Sequence, residues 1–381
     1  MIIPDRDEKK GLILGILRKK EQVFRYEIAQ MTNISPAGVG ILINELTKEG
    51  LVVEAGKGKT YRGRKPVLLE LNAGYKYVVG VDFDAVEIHI VLADIKGNKS
   101  ESAKYEISPG EENLSIIRKI ITGIKDILKK GKVSPDRLIG IGVGVPGQID
   151  KANGVGVFYS RLPGWINVPV RDLLKMEFNT SVIIDNNVKT ITLGEKWFGQ
   201  GRGFSDYLCV AVRSGISSGI VIGDKLYRGF KDSAGEIGHI SVRKGNHHCP
   251  CGNKGCLELF ASNQGMVSQY KKGTGKEPGI DELIDMGLSG DNDALEVIQR
   301  AGKYIGSVFA AVINMFNPEA IIISGKIEKV KDIVQKEIES AINRKVIKRL
   351  RGTTKVVFST LGDDVGALGA TMLVVEEIFK F

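Results

Sequence analysis

The sequence predicts a mixed α/β protein with an all-helical beginning, and three observations carry that expectation. Apolar residues recur at helical spacing over the first fifty positions, strand-like and helix-like segments alternate from Tyr75 onward, and 381 residues exceed one ordinary domain. With 43% hydrophobic residues the chain can bury a sizeable core, yet no apolar run approaches the roughly 18 residues of a membrane span. The opening MIIPDRDEKKGLILGIL mixes acidic with basic residues, and its short apolar stretch lacks a small-residue cleavage site. No secretory leader and no membrane partner are expected, and the location implied is cytoplasmic.

The first elements follow from local pattern. From about Asp7 to Lys20, Leu12, Ile13, Ile16 and Leu17 fall at helical spacing, and a second short helix is expected over Arg25 to Met31, closed by a turn at Thr32 and Asn33. Ser35 suits an N-cap and Pro36 the first helical position. Val39, Leu42, Ile43 and Leu46 then mark the buried stripe of a third helix ending near Gly50. Two β-prone segments, LVVEA and VLLEL, flank a tip that holds Lys57, Lys59, Arg62, Arg64 and Lys65 with glycines between them and no acidic residue.

Taken alone, such a charge run is a solvated loop. Behind three helices it predicts the wing of a winged helix-turn-helix over residues 1–72, with a small helical interaction domain as the alternative. In a winged module the third helix enters the major groove of double-stranded DNA, and wing cations meet phosphates or the minor groove. The expected contacts are Ser35, Ala37, Asn44 and the five wing cations. Ala37, Gly38, Gly40 and Ile41 offer base edges few donors or acceptors, so much of the affinity is expected from backbone contacts and to depend on salt. Each helical glycine also costs ~1 kcal/mol relative to alanine. The formal net charge of +9 is too modest to identify a partner by itself.

Beyond Tyr75, YVVGVDF, VEIHIVLAD and SAKYEI read as strands with a Gly97–Asn98 turn between the last two. Asn113 to Lys130 reads as an amphipathic helix with Leu114, Ile117, Ile121, Ile124 and Leu128 on one face. LIGIGVGVP is a buried strand, followed by a strand at Ser181 to Ile184 and a helix at about Val188 to Phe198. Strands YLCVAVR and GIVIG, a helix around Ala294 to Phe316, strand AIIIS, a helix near Val330 to Ile342, strand KVVFS and a helix from Val365 complete a two-lobed α/β pattern.

The densest chemical signal is GEIGHISVRKGNHHCPCGNKGCLELF. Cys249, Cys251 and Cys256 cluster within eight residues, and His239 precedes them by ten. In a reducing compartment such clustering favours metal ligation over disulfides, and three thiolates with an imidazole suit a closed, structural, tetrahedral Zn2+ site. His247 or His248 could serve as the fourth ligand in place of His239, and reduced cysteines packed in a loop are the plain alternative.

CPCGNKGCLE matches the signature of the ROK family (repressors, open reading frames and kinases), AGEIGHISV resembles its upstream His motif, and GVGVPGQID, RLPGW, NNVKTITLGEKWFG and GDDVGALGA are similar to its segments in the expected order. The resemblance covers essentially the whole chain, since repressor-type members carry a winged helix in front, ending in a wing similar to GRKPVLLELN. It implies an actin- and hexokinase-like (ribonuclease H-like) ROK domain over 73–381. Its small lobe is about 73–186 plus 364–381, its large lobe about 187–363, and sugar binds between them. The implied sugar-binding positions are Asn186, Asn187, Glu236, His239 and Glu258 with Gly164 nearby. His239 is implied in both roles, one ring nitrogen on zinc and the other toward a hydroxyl. A homodimer or higher assembly is also implied.

The chain departs from the family where phosphoryl transfer needs it. Asn187 stands at the position of the carboxylate base, so no catalytic residue is expected. The first phosphate loop reads Asp82-Phe83-Asp84-Ala85-Val86, without its glycines and with an added negative charge that should repel phosphate. Asp82, Gly215, Gly219 and Gly325 are what remains of a nucleotide site. The expectation is a regulator, in the repressor class, of carbohydrate genes that binds DNA and a sugar effector. A hexose or N-acetylhexosamine kinase using ATP and Mg2+ is the alternative.

Overall fold

The computed structural model describes residues 5–57 and 67–379. Lys59, Arg62, Arg64 and Lys65 of the expected wing lie outside the described residues. α1 (Arg6–Lys20), β1 (Val23–Phe24), α2 (Arg25–Thr32) and α3 (Pro36–Lys48) are followed by β2 (Val52–Lys57) and β3 (Val67–Leu71), which form an antiparallel sheet in the order β1-β3-β2. Local chemistry explains the boundaries. Asp5 and Glu8 form a capping box at the start of α1, Asn33 ends α2 in the left-handed conformation (φ 56°), and the Ser35 hydroxyl accepts from the Gly38 N–H at 3.2 Å. Ile13, Leu17, Ile28, Ile43, Leu46 and Leu69 are fully buried among these elements. Leu12, expected on that stripe, is 44% exposed and Leu14 is buried in its place.

The body begins with β4 (Tyr77–Phe83), β5 (Glu87–Asp94), β6 (Lys99–Glu106), α4 (Asn113–Lys130), β7 (Leu138–Val145), β8 (Gln148–Asp150), β9 (Val155–Phe158), β10 (Ile166–Val168), α5 (Val170–Phe178), β11 (Ser181–Asn186) and α6 (Asn187–Phe198). Its sheet runs β11-β7-β4-β5-β6, parallel at β11-β7-β4 and antiparallel beyond, while β8–β10 form a small separate sheet. In α4 the inward face is Ile116, Ile117, Ile120, Ile124 and Ile127. Leu114, expected inside, is exposed, because the face that packs is turned about one residue from the stripe read in the sequence.

Next come β12 (Tyr207–Val212), β13 (Ile216–Ile222), β14 (Lys225–Tyr227), α7 (Glu258–Ala261), α8 (Asn263–Thr274), α9 (Ile280–Leu288), α10 (Asn292–Phe316), β15 (Ala320–Ser324), α11 (Lys331–Lys345), β16 (Lys355–Phe358) and α12 (Val365–Phe379). The second five-stranded sheet runs β14-β13-β12-β15-β16. Helices α6 and α12 pack against one another beside β4 and β7. Glycines permit that approach: a Cβ at Gly142 would sit 1.8 Å from the Ala370 carbonyl oxygen, and one at Gly369 1.7 Å from that of Thr190. The first module does not dangle, since its core continues into Val78, Ile95, Met372 and Val375 of the body. Among the described residues no helix is long and apolar enough to cross a membrane.

Candidate functional site

The cysteine loop closes on itself. Cys256 bridges back to Ser241, and Gly255 adopts φ 73° against the Arg243 carbonyl, where a side chain has no room. The result brings His239, Cys249, Cys251 and Cys256 together, with their donor atoms within 4.8 Å of one another. Cys251 and Cys256 sulfurs are 3.7 Å apart, and Cys249 Sγ lies 3.8 Å from His239 Nδ1. Metal–sulfur bonds of ~2.3 Å in a tetrahedron separate ligand atoms by about 3.8 Å, so this donor set fits one metal ion. His239, rather than His247 or His248, completes it. With Nδ1 turned to the thiolates, Nε2 points the other way, 3.9 Å from Glu236 Oε2.

That orientation sets the cluster beside two carboxylates. Glu258 opens α7 and is 8% exposed; its Oε1 lies 3.9 Å from His239 Nδ1 and its Oε2 3.4 Å from Arg161. Gly215 stands against the same carboxylate, since a Cβ there would lie 3.1 Å from Glu258 Oε2. Glu236, with an exposed side chain, immediately precedes the short 3-10 turn Ile237–His239. Glu236, His239 and Glu258 are thus brought together. Arg161, which sequence reasoning passed over inside RLPGW, joins them and also contacts Gln264.

Asn186 and Asn187 sit where β11 turns into α6, and both side chains are hydrogen-bonded within the protein. Asn186 caps the helix, its Oδ1 accepting from Val188 N at 2.9 Å, while its Nδ2 donates to the Gly147 carbonyl at 3.0 Å. Asn187 is buried and donates from Nδ2 to the Phe83 carbonyl at 3.1 Å. Gly164 (φ 81°) accepts at its carbonyl from Asn113 Nδ2 at 2.9 Å.

The carboxylates of the segment Asp82–Val86, expected to be a degenerate phosphate loop, face an internal cation. Arg213, between β12 and β13, places Nη1 2.6 Å from Asp82 Oδ2 and Nε 3.6 Å from Asp84 Oδ2, and the Ser214 hydroxyl donates to Asp84 at 2.8 Å. Asp82 is fully buried and its Oδ1 has no partner. Burial raises the Asp82 pKa in spite of the guanidinium. For Asp84 burial is outweighed by Arg213, the Val86 N–H and Ser214, and its pKa falls. The charge at Asp84 therefore faces a cation inside the protein, where the sequence suggested an unanswered negative charge.

Beside this ion pair lies a cavity of about 800 Å³ bounded by Asp84, His89, Arg213, Gly325 and Lys326. Its cations are paired as well: His89 with Glu87 at 3.1 Å, Lys326 with Asp281 at 2.6 Å and Glu87 at 3.2 Å. Gly325 is on its wall, but Gly215 faces Glu258 and Gly219 lies within β13, where a Cβ would meet Thr192.

In the first module Ser35, Ala37, Ile41 and Asn44 are exposed along α3. Arg25, at the start of α2, donates to Asn44 Oδ1 at 3.3 Å and adds a cation to that face. The sequence offered no motif for it; only packing of α2 on α3 reveals the pairing.

A family model described as the ROK family matches residues 78–377. The chain is 33% identical over 385 residues to the xylose repressor of Caldicellulosiruptor bescii, covering 98% of this chain and 96% of that protein. It is 27% identical to the DNA-binding transcriptional dual regulator NagC of Escherichia coli K12, covering 92% and 88%. Among solved structures, a ROK family transcriptional regulator, homolog of the E. coli MLC protein, superimposes with TM-score 0.83 at 24% identity over 98% of this chain and 97% of that one. A ROK family glucokinase from Streptomyces griseus, in complex with glucose and AMPPNP, gives TM-score 0.69 at 24% identity over 78% and 98%.

Proposed function

The chain belongs to the ROK family, and from that premise we propose that it is a sugar-responsive transcriptional repressor of carbohydrate genes, with a degenerate kinase cleft that binds without transferring phosphate. One observation carries the reading: the Arg213–Asp82–Asp84 cluster fills with the protein's own charges the place where a kinase needs room for phosphates. The named repressor relatives, which span nearly the whole chain, point the same way. Residues 1–72 would contact operator DNA through Ser35, Ala37, Asn44 and the wing cations Lys57, Lys59, Arg62, Arg64 and Lys65. Residues 73–381 would bind the effector, and a homodimer would match a two-fold operator.

In the cleft, Glu236, Glu258 and His239 Nε2 are suited to reading sugar hydroxyls, which both donate and accept. Asn187 can donate and accept but cannot take up the hydroxyl proton that a kinase base removes. A Zn2+ ion held by His239, Cys249, Cys251 and Cys256 would be structural, since all four ligands come from the protein, and it would fix the His239 ring toward the effector.

The test measures ADP release with ATP, Mg2+ and a panel of pentoses, hexoses and N-acetylhexosamines. Calorimetry of the same sugars and anisotropy of operator DNA with and without them run in parallel. The expected result is no turnover, saturable binding of at least one sugar, and a sugar-dependent change in DNA affinity. Turnover at ordinary kinase rates would overturn the reading.

A further inference from the structure

We propose a second ligand site, for a small phosphate-bearing anion, in the seam between α1 and the body. A cavity of about 910 Å³ lies there, and its wall carries six cations (Arg18, Lys19, Lys20, Lys96, Lys196 and Arg202) against three acids (Glu21, Glu70 and Asp224). Within the wall Lys96 is matched by Glu70 at 3.3 Å. The others leave an excess of positive charge in a concave, partly desolvated place, where charge attracts more strongly than on an open surface.

Arg18 is the second and independent observation. It is nine-tenths buried at the end of α1, and its Nη1 is sealed from solvent with no hydrogen-bond partner. Among the described residues no carboxylate lies within ion-pair distance of it. Its flat faces are satisfied, with the guanidinium carbon 4.3 Å from the centre of the Trp197 ring and 5.7 Å from that of Phe198. Its edge is not. Burial draws its pKa down to about 10, with Glu376 and Asp94 opposing from a distance, so it is still charged at neutral pH. A buried guanidinium edge left unpaired is costly, and the ligands that satisfy its fork are phosphates and carboxylates.

The excess of charge matches a phosphate dianion better than a single carboxylate. The cavity leaves space beyond one phosphate, and Trp197 offers an aromatic wall, so the class is a phosphomonoester of a small organic molecule. Such a ligand would touch α1 on one side and the end of α6 on the other. Its binding would depend on how the first module sits on the body, and by linkage would bias that arrangement. The inference does not need the sugar cleft.

The experiment titrates the full chain by calorimetry with inorganic phosphate and with phenyl phosphate, at constant ionic strength against chloride. Fluorescence gives a parallel reading, since of the two tryptophans Trp165 is fully buried and Trp197 lines the seam. Lys20→Gln and Arg202→Gln change exposed residues and leave the core intact. Saturable binding is expected, tighter for phenyl phosphate, weakened tenfold or more in the double variant, with sugar affinity unmoved. Absence of saturable binding, or equal binding in the double variant, would overturn the proposal. So would loss of operator affinity in the variants without phosphate binding in the parent, which would make the patch a contact to the DNA backbone.

Discussion

Replacing Arg213 by Met removes the cation that holds two buried carboxylates. Asp82 is fully buried, Asp84 is 7% exposed, and Asp82 already has one oxygen without a partner. Breaking a buried pair by deleting one member costs about 3–5 kcal/mol, because the remaining charge is uncompensated. Here two carboxylates are left, so the upper part of that range is expected. In R213M the Asp82 pKa rises further above its unfolded value, and the Asp84 pKa moves up from its lowered position, held back only by the Val86 and Glu87 N–H groups and the Ser214 hydroxyl. A group raised in this way stabilises fully below its unfolded pKa, about 4, and loses that contribution as pH rises through the folded value. The deficit of R213M is therefore smallest near pH 4 and grows toward pH 8. Denaturant unfolding read through Trp165 follows the right region, since its ring packs on Phe83 at 5.2 Å, beside Asp82 and Asp84. The triple variant with Asp82→Asn and Asp84→Asn removes the buried charges and should recover most of the loss. A cost below about 1 kcal/mol at pH 8, or a triple variant no more stable than the single one, would refute the argument.

Three further outcomes are expected. Cys256→Ser should lower zinc content, measured by plasma mass spectrometry, from about one ion per chain toward zero, and weaken sugar binding through a loosened His239. For His89, burial opposes the charge but Asp364 and Glu87 overcome it and raise the pKa to about 9. With the folded value above the unfolded one, its stabilisation is complete below about pH 6.5 and is lost as pH rises toward 9. His89→Asn should flatten the stability profile across that window, by at most ~3 kcal/mol, in denaturation series at several pH values. Asn44→Ala should cost about 1–3 kcal/mol of operator affinity and relax sequence preference at one position in anisotropy competition. Arg25→Ala should weaken binding to all sequences and reduce the salt slope by about one.

Helices with strong periodicity are legible in the sequence: the reading over Asn113 to Lys130 coincides with α4, and Ser35 with Pro36 mark the start of α3. What failed was phase and polarity. Leu12 and Leu114 sit at helical spacing but on the exposed edge, because which stripe packs is decided by the partner surface. Helices α5, α8 and α9 are short and joined by polar turns, and the three-residue strands β8 and β10 are below what alternation can reveal. The metal cluster was readable because its cysteines are local. The Arg213 pairing was not, since Asp82 lies 131 positions away and no local pattern distinguishes an answered charge from an unanswered one.

The distribution of satisfied and unsatisfied groups argues for binding over turnover. Around the segment Asp82–Val86 the strong charges are matched internally: Asp82 and Asp84 by Arg213, His89 by Glu87 and Asp364, Lys326 by Glu87 and Asp281. A phosphate set against Asp82 and Asp84 would have to displace the buried Arg213 pairs before gaining a contact there, and such a break costs kilocalories. At the cleft Glu236 stays exposed, close to an imidazole nitrogen that the cysteine cluster leaves free. Helix α6 starts at Asn187 and ends in the seam with Phe198, a rigid span of roughly 18 Å. A sugar that preferred one setting of α6 by 1.4 kcal/mol would change DNA affinity tenfold, a modest demand on a few hydroxyl contacts.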